Sequence, residues 1–150
     1  MKVYRIAGMR HPIFSGEGAR QIGGRWNSPG HSVIYAGDSL ATCLLEILVH
    51  TRGVKPPGTL GWIEIDVPDS VSIERIDPDN LPGWGDLSST ASQAFGDLWI
   101  KEARSCLLWV PSVAASGLAW NAVINTAHPE FALISSSVPQ ALRLDSRLFP

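Results

Sequence analysis

Glu46 is the only charged residue in the apolar run LATCLLEILV from Leu40 to Val49. A carboxylate carried into such surroundings needs a partner or a task, because burying it unpaired is costly. Upstream, Arg25 follows Gly23 and Gly24, whose missing Cβ atoms let backbone approach a ligand or another strand closely. Backbone N–H groups and a guanidinium converging there suit an anion such as phosphate. The plainer reading is an arginine that ties its loop to backbone carbonyls, and the residue types leave both open. Tyr35 ends the β-branched run Val33-Ile34-Tyr35 and is by default a core aromatic with its hydroxyl satisfied. Ser112 follows Pro111 directly after the apolar run CLLWV, and strand ends commonly carry site residues.

Other chemistries lack their residues. There is no Walker A sequence, no GxGxxG opening a helix, no GxSxG and no evident base for a serine nucleophile. His11, His31, His50 and His128 show neither HExxH nor HxxxH spacing, so no metal site is expected. Asn121, Asn125 and His128 are candidates to line one polar pocket. Twelve basic against fourteen acidic residues give a net charge of −2, and the three lysines and nine arginines are scattered. That disfavours direct binding to nucleic acid and favours local anion contacts. Cys43 and Cys106 both lie in apolar runs and read as buried free thiols of a reducing compartment. The opening MKVYRIAGMRHPIF has no signal-peptide core, and no segment approaches about 18 uninterrupted apolar residues, so a cytoplasmic protein that meets no membrane is expected.

The elements that must position these residues follow from periodicity. With 150 residues and 45% hydrophobic content, one domain spanning 1–150 is expected. Strands are expected over Val3–Ala7, Ser32–Ala36, Leu60–Val67, Ser70–Ile76, Cys106–Val110, Ala122–Asn125 and Phe131–Ser135, with the tail Leu142–Leu148 as an edge strand. His11 to Ser28 reads as loop, as does Pro78 to Thr90. Asp38 or Ser39 can cap a helix running to about Val49, with Leu40, Leu44, Ile47 and Leu48 as its core face. Thr42, Glu46 and His50 then share a separate stripe, which sets Glu46 between core and cleft. A second helix is expected over Thr90–Arg104, weakened by Gly96. Helices interspersed among strands without βαβ spacing make the fold class α+β. Six tryptophans are a heavy share, and Trp62 and Trp84 are candidates for an interface.

The whole chain resembles the RES domain family, named for an arginine, a glutamate and a serine. The resemblance runs in order through VYRIA, GEGARQIGGRWNSPG, VIYAGDSLATCLLEILVH, the VPS at Val110 to Ser112, NAVINTAHPEF and LDSRLF. It implies an ADP-ribosyltransferase-like fold, a split β-sheet core with flanking helices. It also implies a toxin that cleaves the nicotinamide–ribose bond of NAD+, by hydrolysis or by phosphorolysis with inorganic phosphate as co-substrate. ADP-ribosyl transfer to a protein or nucleic acid is the alternative within the same fold. Arg25, Glu46 and Ser112 are then the catalytic residues, although Ser135, Ser136 and Ser137 also lie near a strand end. Arg25, Tyr35, Asn27 and Ser112 are the expected substrate contacts. No cofactor is implied beyond NAD+ as substrate. The implied partner is an antitoxin with an Xre-like helix-turn-helix domain, in a homodimer or a toxin–antitoxin hetero-oligomer. The chain departs from the family's NPxHP at Thr126, which stands where proline is usual.

Overall fold

A computed structural model describes all 150 residues. Eight strands occupy β1 Lys2–Gly8, β2 Val33–Gly37, β3 Leu60–Asp66, β4 Ile73–Arg75, β5 Leu107–Pro111, β6 Trp120–Asn125, β7 Ser135–Ser136 and β8 Gln140–Ala141. Three helices occupy α1 Glu17–Ile22, α2 Leu40–His50 and α3 Thr90–Lys101. No helix is long and apolar enough to cross a membrane.

The strands form one sheet in the order β4-β5-β6-β2-β1-β3-β7, with β8 also on β3. All neighbours are antiparallel except β4 and β5. β1 and β3 pair over seven positions and β2 and β6 over five, yet β1 meets β2 only at Tyr4 opposite Gly37. The sheet is therefore two half-sheets joined at one position, the split core that the family resemblance implies. Backbone groups left unpaired at a gap must find other partners. Arg5 supplies them: its Nη1 donates to Tyr35 O at 2.7 Å and its Nε to Ile13 O at 2.9 Å. It bonds no carboxylate, and burial lowers its pKa.

Core packing follows the two sheet faces. On one, Val3, Ile34, Ile63, Ile65, Leu107 and Ile124 form the larger cluster. On the other, Trp26, Val33, Trp99, Leu108, Val110 and Val123 form the smaller. Ser39 caps α2, its side chain accepting from Thr42 N at 3.1 Å. The fully buried residues of α2 are Thr42 and Cys43, whereas Leu40, Leu44, Ile47 and Leu48 are only half-buried. The helix approaches the sheet through its small side chains, since the Cys43 thiol donates to Tyr4 O at 3.1 Å beside the half-sheet junction. The leucine face expected to be core is thus a flank.

Four further expectations fail for local reasons. Glu17–Ile22 is a helix inside the expected loop, held by the Glu17–Arg20 pair one turn apart. Pro129–Leu133 is a 3₁₀ turn rather than the start of a strand, because Pro129 lacks an N–H and His128 Nδ1 accepts from Glu130 N at 3.2 Å. In the loop Pro78–Thr90, Pro78–Asn80 forms a second 3₁₀ turn. The tail after Ala141 makes no strand; the edge pairing falls on Gln140–Ala141, ahead of the alternating residues.

Gly96 explains itself once α3 is seen against the loop at Trp26. A Cβ placed on Gly96 would sit 1.8 Å from Trp26 O, so the helix trades propensity for close approach. Gly96→Ala should therefore lower stability by about 1–3 kcal/mol despite alanine's better propensity. Gly18→Ala, in α1 with nothing within 4 Å of its Cβ, should instead raise it by about 0.5–1 kcal/mol. Urea unfolding midpoints should move in opposite directions for the two.

Candidate active site

Strand register sets the floor of the site. Tyr35 lies opposite Val123 and Gly37 opposite Asn121, so Tyr35, Gly37, Asn121 and Val123 project from one face. α2 lies on that face at the end nearer Gly37. Its stripe runs from buried Thr42 through half-buried Glu46 to exposed His50, which places the carboxylate between core and solvent as its spacing predicts.

Glu46 reaches across to two other elements. Its Oε1 accepts from Ser112 Oγ at 2.6 Å and from Asn121 Nδ2 at 2.7 Å. Ser112 opens the turn after β5 and is 0% exposed. Its hydroxyl also accepts from Ala115 N at 3.1 Å, so its one proton is directed at Glu46. The serine expected to touch substrate instead holds the glutamate. Ser135 and Ser136 lie in β7 at the far edge of the sheet, which leaves Ser112 as the serine of the cluster.

Arg25 sits on the loop between α1 and β2. Its Nη1 donates to Trp84 O at 3.1 Å and to Asp86 O at 2.8 Å, the loop-tying role that its residue type allowed. Nε and Nη2 donate to no protein acceptor and stay reachable by solvent. The Trp84 indole in turn lies 3.7 Å from the Cβ position of Gly117, in the turn that Ser112 opens. The Trp84 segment thus touches both the Arg25 side chain and the turn that Ser112 opens.

Tyr35 and Asn27 lie beneath this loop. The Tyr35 hydroxyl donates to Asn27 Oδ1 at 2.7 Å and accepts from Trp26 N at 3.0 Å. Its ring is so close under Gly24 that a Cβ there would stand 2.6 Å from the hydroxyl oxygen. Asn27 is 0% exposed, and its amide donates to Ala19 O, Ser28 O and His31 O. Asn27 therefore shapes the loop under Arg25 and has no surface to offer a ligand, contrary to its expected place among the substrate contacts. Asp97 of α3 closes the same loop, accepting from Ser28 N at 2.8 Å and from Ser28 Oγ.

The three residues grouped as one polar pocket part company. Asn121 serves Glu46, whereas Asn125 Oδ1 accepts from Ala127 N at 3.0 Å and His128 caps the 3₁₀ turn. At Thr126, where proline is usual, the hydroxyl donates to Ser32 O at 2.9 Å and the N–H to the same oxygen, bonds that proline could not make. No three His, Cys, Asp or Glu side chains gather as a metal site would need.

A split-sheet α+β domain that carries a carboxylate held at one oxygen and a loop arginine with one edge free is the class that fold and site define. Residues 2–145 match the RES domain, and the chain belongs to the RES domain family. It is 42% identical over 120 residues, 77% of this chain and 74% of the other, to the Prs ADP-ribosylating toxin of Sphingobium sp. strain YBL2. It is 32% identical to Toxin Res of Yersinia enterocolitica over 99% of both chains. Over 45 residues, 29% of this chain, it is 47% identical to the NAD(+) phosphorylase MbcT of Mycobacterium tuberculosis. The crystal structure of the M. tuberculosis MbcT–MbcA toxin–antitoxin complex matches in fold with a TM-score of 0.75 at 21% identity, over 94% of this chain and 83% of that one.

Two stability effects follow from the buried phenol and thiols. Tyr35→Phe leaves Trp26 N–H and Asn27 Oδ1 without their partner and should cost about 1–3 kcal/mol in urea unfolding at neutral pH. Burial raises the Tyr35 phenol above its ordinary 10.0 and the Cys43 and Cys106 thiols from 9.0 to about 11. The unfolded chain therefore loses these protons first, and the native state should lose stability as pH climbs from about 9 toward 11. Tyr35→Phe should flatten the part of that decline above about pH 10.

Proposed function

We propose that this protein is the toxin of a toxin–antitoxin pair and depletes NAD+ by cleaving its nicotinamide–ribose bond. The observation that carries the reading is Glu46, whose half-buried carboxylate is held by two neutral donors in a RES-family chain. As the bond breaks, the electron pair leaves with the ring nitrogen of nicotinamide, which becomes neutral, and positive charge grows on the ribose. A carboxylate preorganised beside that charge lowers the barrier. The unpaired Nε and Nη2 of Arg25 form an edge suited to bidentate contact with the pyrophosphate. Tyr35 and Asn27 hold the loop that carries Arg25, and Ser112 orients Glu46. NAD+ is substrate and no cofactor takes part.

The acceptor is inorganic phosphate or water. The name of the Mycobacterium relative supports phosphate, through a match of 45 residues. A second reading, ADP-ribosyl transfer to a protein, is favoured by the 42% identity to the Prs ADP-ribosylating toxin over 77% of this chain. In either case the protein acts in the cytoplasm and is neutralised by an antitoxin with an Xre-like helix-turn-helix domain, as a homodimer or a hetero-oligomer with that antitoxin. Operator contacts then fall to the partner, consistent with a net charge of −2.

NAD+ loss by purified protein, with and without phosphate, tests these arms. Phosphate-dependent loss yielding ADP-ribose-1″-phosphate establishes phosphorolysis, and loss without phosphate establishes hydrolysis. Intact NAD+ in both, with a mass increase of one ADP-ribose on an added protein, moves the assignment to transfer. Glu46→Gln should lower kcat by roughly 10²–10³-fold, with the far-ultraviolet circular dichroism unchanged.

A further inference from the structure

Asn121 is a polar side chain in β6, between Trp120 and the buried run Ala122-Val123-Ile124. Its backbone is fixed on both sides, opposite Val110 on β5 and Gly37 on β2. The neighbouring residue is fastened as well. Asp38 N donates to Trp120 O at 3.0 Å, and Asp38 Oδ2 accepts from Trp120 N at 3.0 Å. The other carboxylate oxygen of Asp38 accepts from Thr42 Oγ1 at 2.5 Å, one turn before Glu46 on α2. Helix α2 is thus bound to the start of β6 at two adjacent residues, through Asp38 to Trp120 and through Glu46 to Asn121.

Both donors to Glu46 take the same oxygen. Ser112 comes from the end of β5 and Asn121 from β6, and they meet at Oε1. Oε2 accepts from no protein group and stays open to solvent. A single hydrogen bond would leave a carboxylate on three rotatable bonds free to swing about that contact. Two donors from different strands remove that freedom. Both are neutral, so they fix the group without the counter-charge that a lysine or arginine partner would bring. The carboxylate is not neutralised by a counter-ion, and its open oxygen Oε2 stays available to a developing cation.

We propose that Asn121 is a positioning residue for Glu46, which with Ser112 fixes Oε1 so that Oε2 alone meets the substrate. This inference rests on the NAD+-cleaving reading for its catalytic consequence, and on the contact itself for its geometry. The test is steady-state NAD+ consumption by Asn121→Ala and Asn121→Leu. Each should lower kcat by about 10–100-fold and leave KM within about two-fold, since the lost interaction acts on the transition state through Glu46. Asn121→Leu keeps the approximate shape of the side chain, adds no charge beside Glu46 and has no N–H to donate, so it reports even where the alanine variant folds poorly. In a Glu46→Ala background, Asn121→Ala should change the residual rate by less than about two-fold. Unchanged kcat overturns the proposal, as does a raised KM at constant kcat, which would make Asn121 a substrate contact. An equal loss in the Glu46→Ala background overturns it too.

A second readout is independent of activity. The side-chain amide signals of Asn121 in a ¹⁵N–¹H spectrum should shift and exchange faster with solvent in Glu46→Ala. Signals that do not move overturn the contact, whatever the NAD+ assay gives. Wild-type protein that leaves NAD+ intact overturns the functional reading and the catalytic role drawn from it, while the amide signals still decide whether Asn121 holds Glu46.

Discussion

The single paired position between β1 and β2, Tyr4 opposite Gly37, is the constraint on which the other features of this fold depend. A sheet interrupted there leaves backbone groups of β1 and β2 without ladder partners, and the chain must supply substitutes. Arg5 fills the gap from one side, bonding Tyr35 O and Ile13 O. On the other side Cys43 bonds Tyr4 O and seats α2 over the junction. With α2 seated there, its Glu46 reaches Asn121 on β6 and Ser112 just past the end of β5. A fully laddered β1–β2 pair would have no opening to bridge, and Arg5 would have no role on this sheet.

This dependence also says which features the sequence made legible. Glu46 stood out because one charge in an apolar run is a conflict between local composition and burial, and such conflicts collect at sites. The stripe Thr42, Glu46, His50 followed from helical period alone, and its gradient from core to solvent is what the structure has. The partners of Glu46 were not legible, since Ser112 and Asn121 lie 66 and 75 residues away and meet it only through strand register. One signal for Asn121 was present, a polar residue directly ahead of the apolar run Ala122-Val123-Ile124. It was grouped with Asn125 and His128 by proximity in sequence, and proximity misled. The leucine face of α2 misled in another way, because hydrophobic period assigns a face but not how closely the helix can approach. Here the small side chains of Thr42 and Cys43 set that distance.

Arg25 shows that a structural and a ligand-binding reading need not compete. A guanidinium has five N–H groups in a fixed plane, and one nitrogen can serve the fold while the opposite edge serves a ligand. Nη1 alone holds Trp84 O and Asp86 O. The remaining edge keeps its geometry because that first pair of bonds removes the side chain's freedom before any ligand arrives. Tyr35 and Asn27 act one layer lower, bonding each other and the loop backbone so that the arginine starts from a fixed point. Ordering entropy that a flexible arginine would lose on binding is thus lost on folding instead.

The same division of labour bears on the proposed chemistry. A pyridinium leaving group becomes neutral as it takes the bonding electrons, so its departure calls for no proton donor. A carboxylate held by Ser112 and Asn121, both neutral, answers to what that step requires, since the charge to be stabilised grows on the ribose. The acceptor step is less constrained. An anionic phosphate oxygen can attack without losing a proton, whereas water or a protein hydroxyl must give one up, and Oε2 of Glu46 is the open oxygen of the cluster that could take it. One residue in one posture then serves all three acceptors. What distinguishes them in this reading is which acceptor reaches the ribose carbon. The chain's relatives bear names as different as phosphorylase and ADP-ribosylating toxin, and in this reading each acceptor calls for the same stabilisation of charge on the ribose.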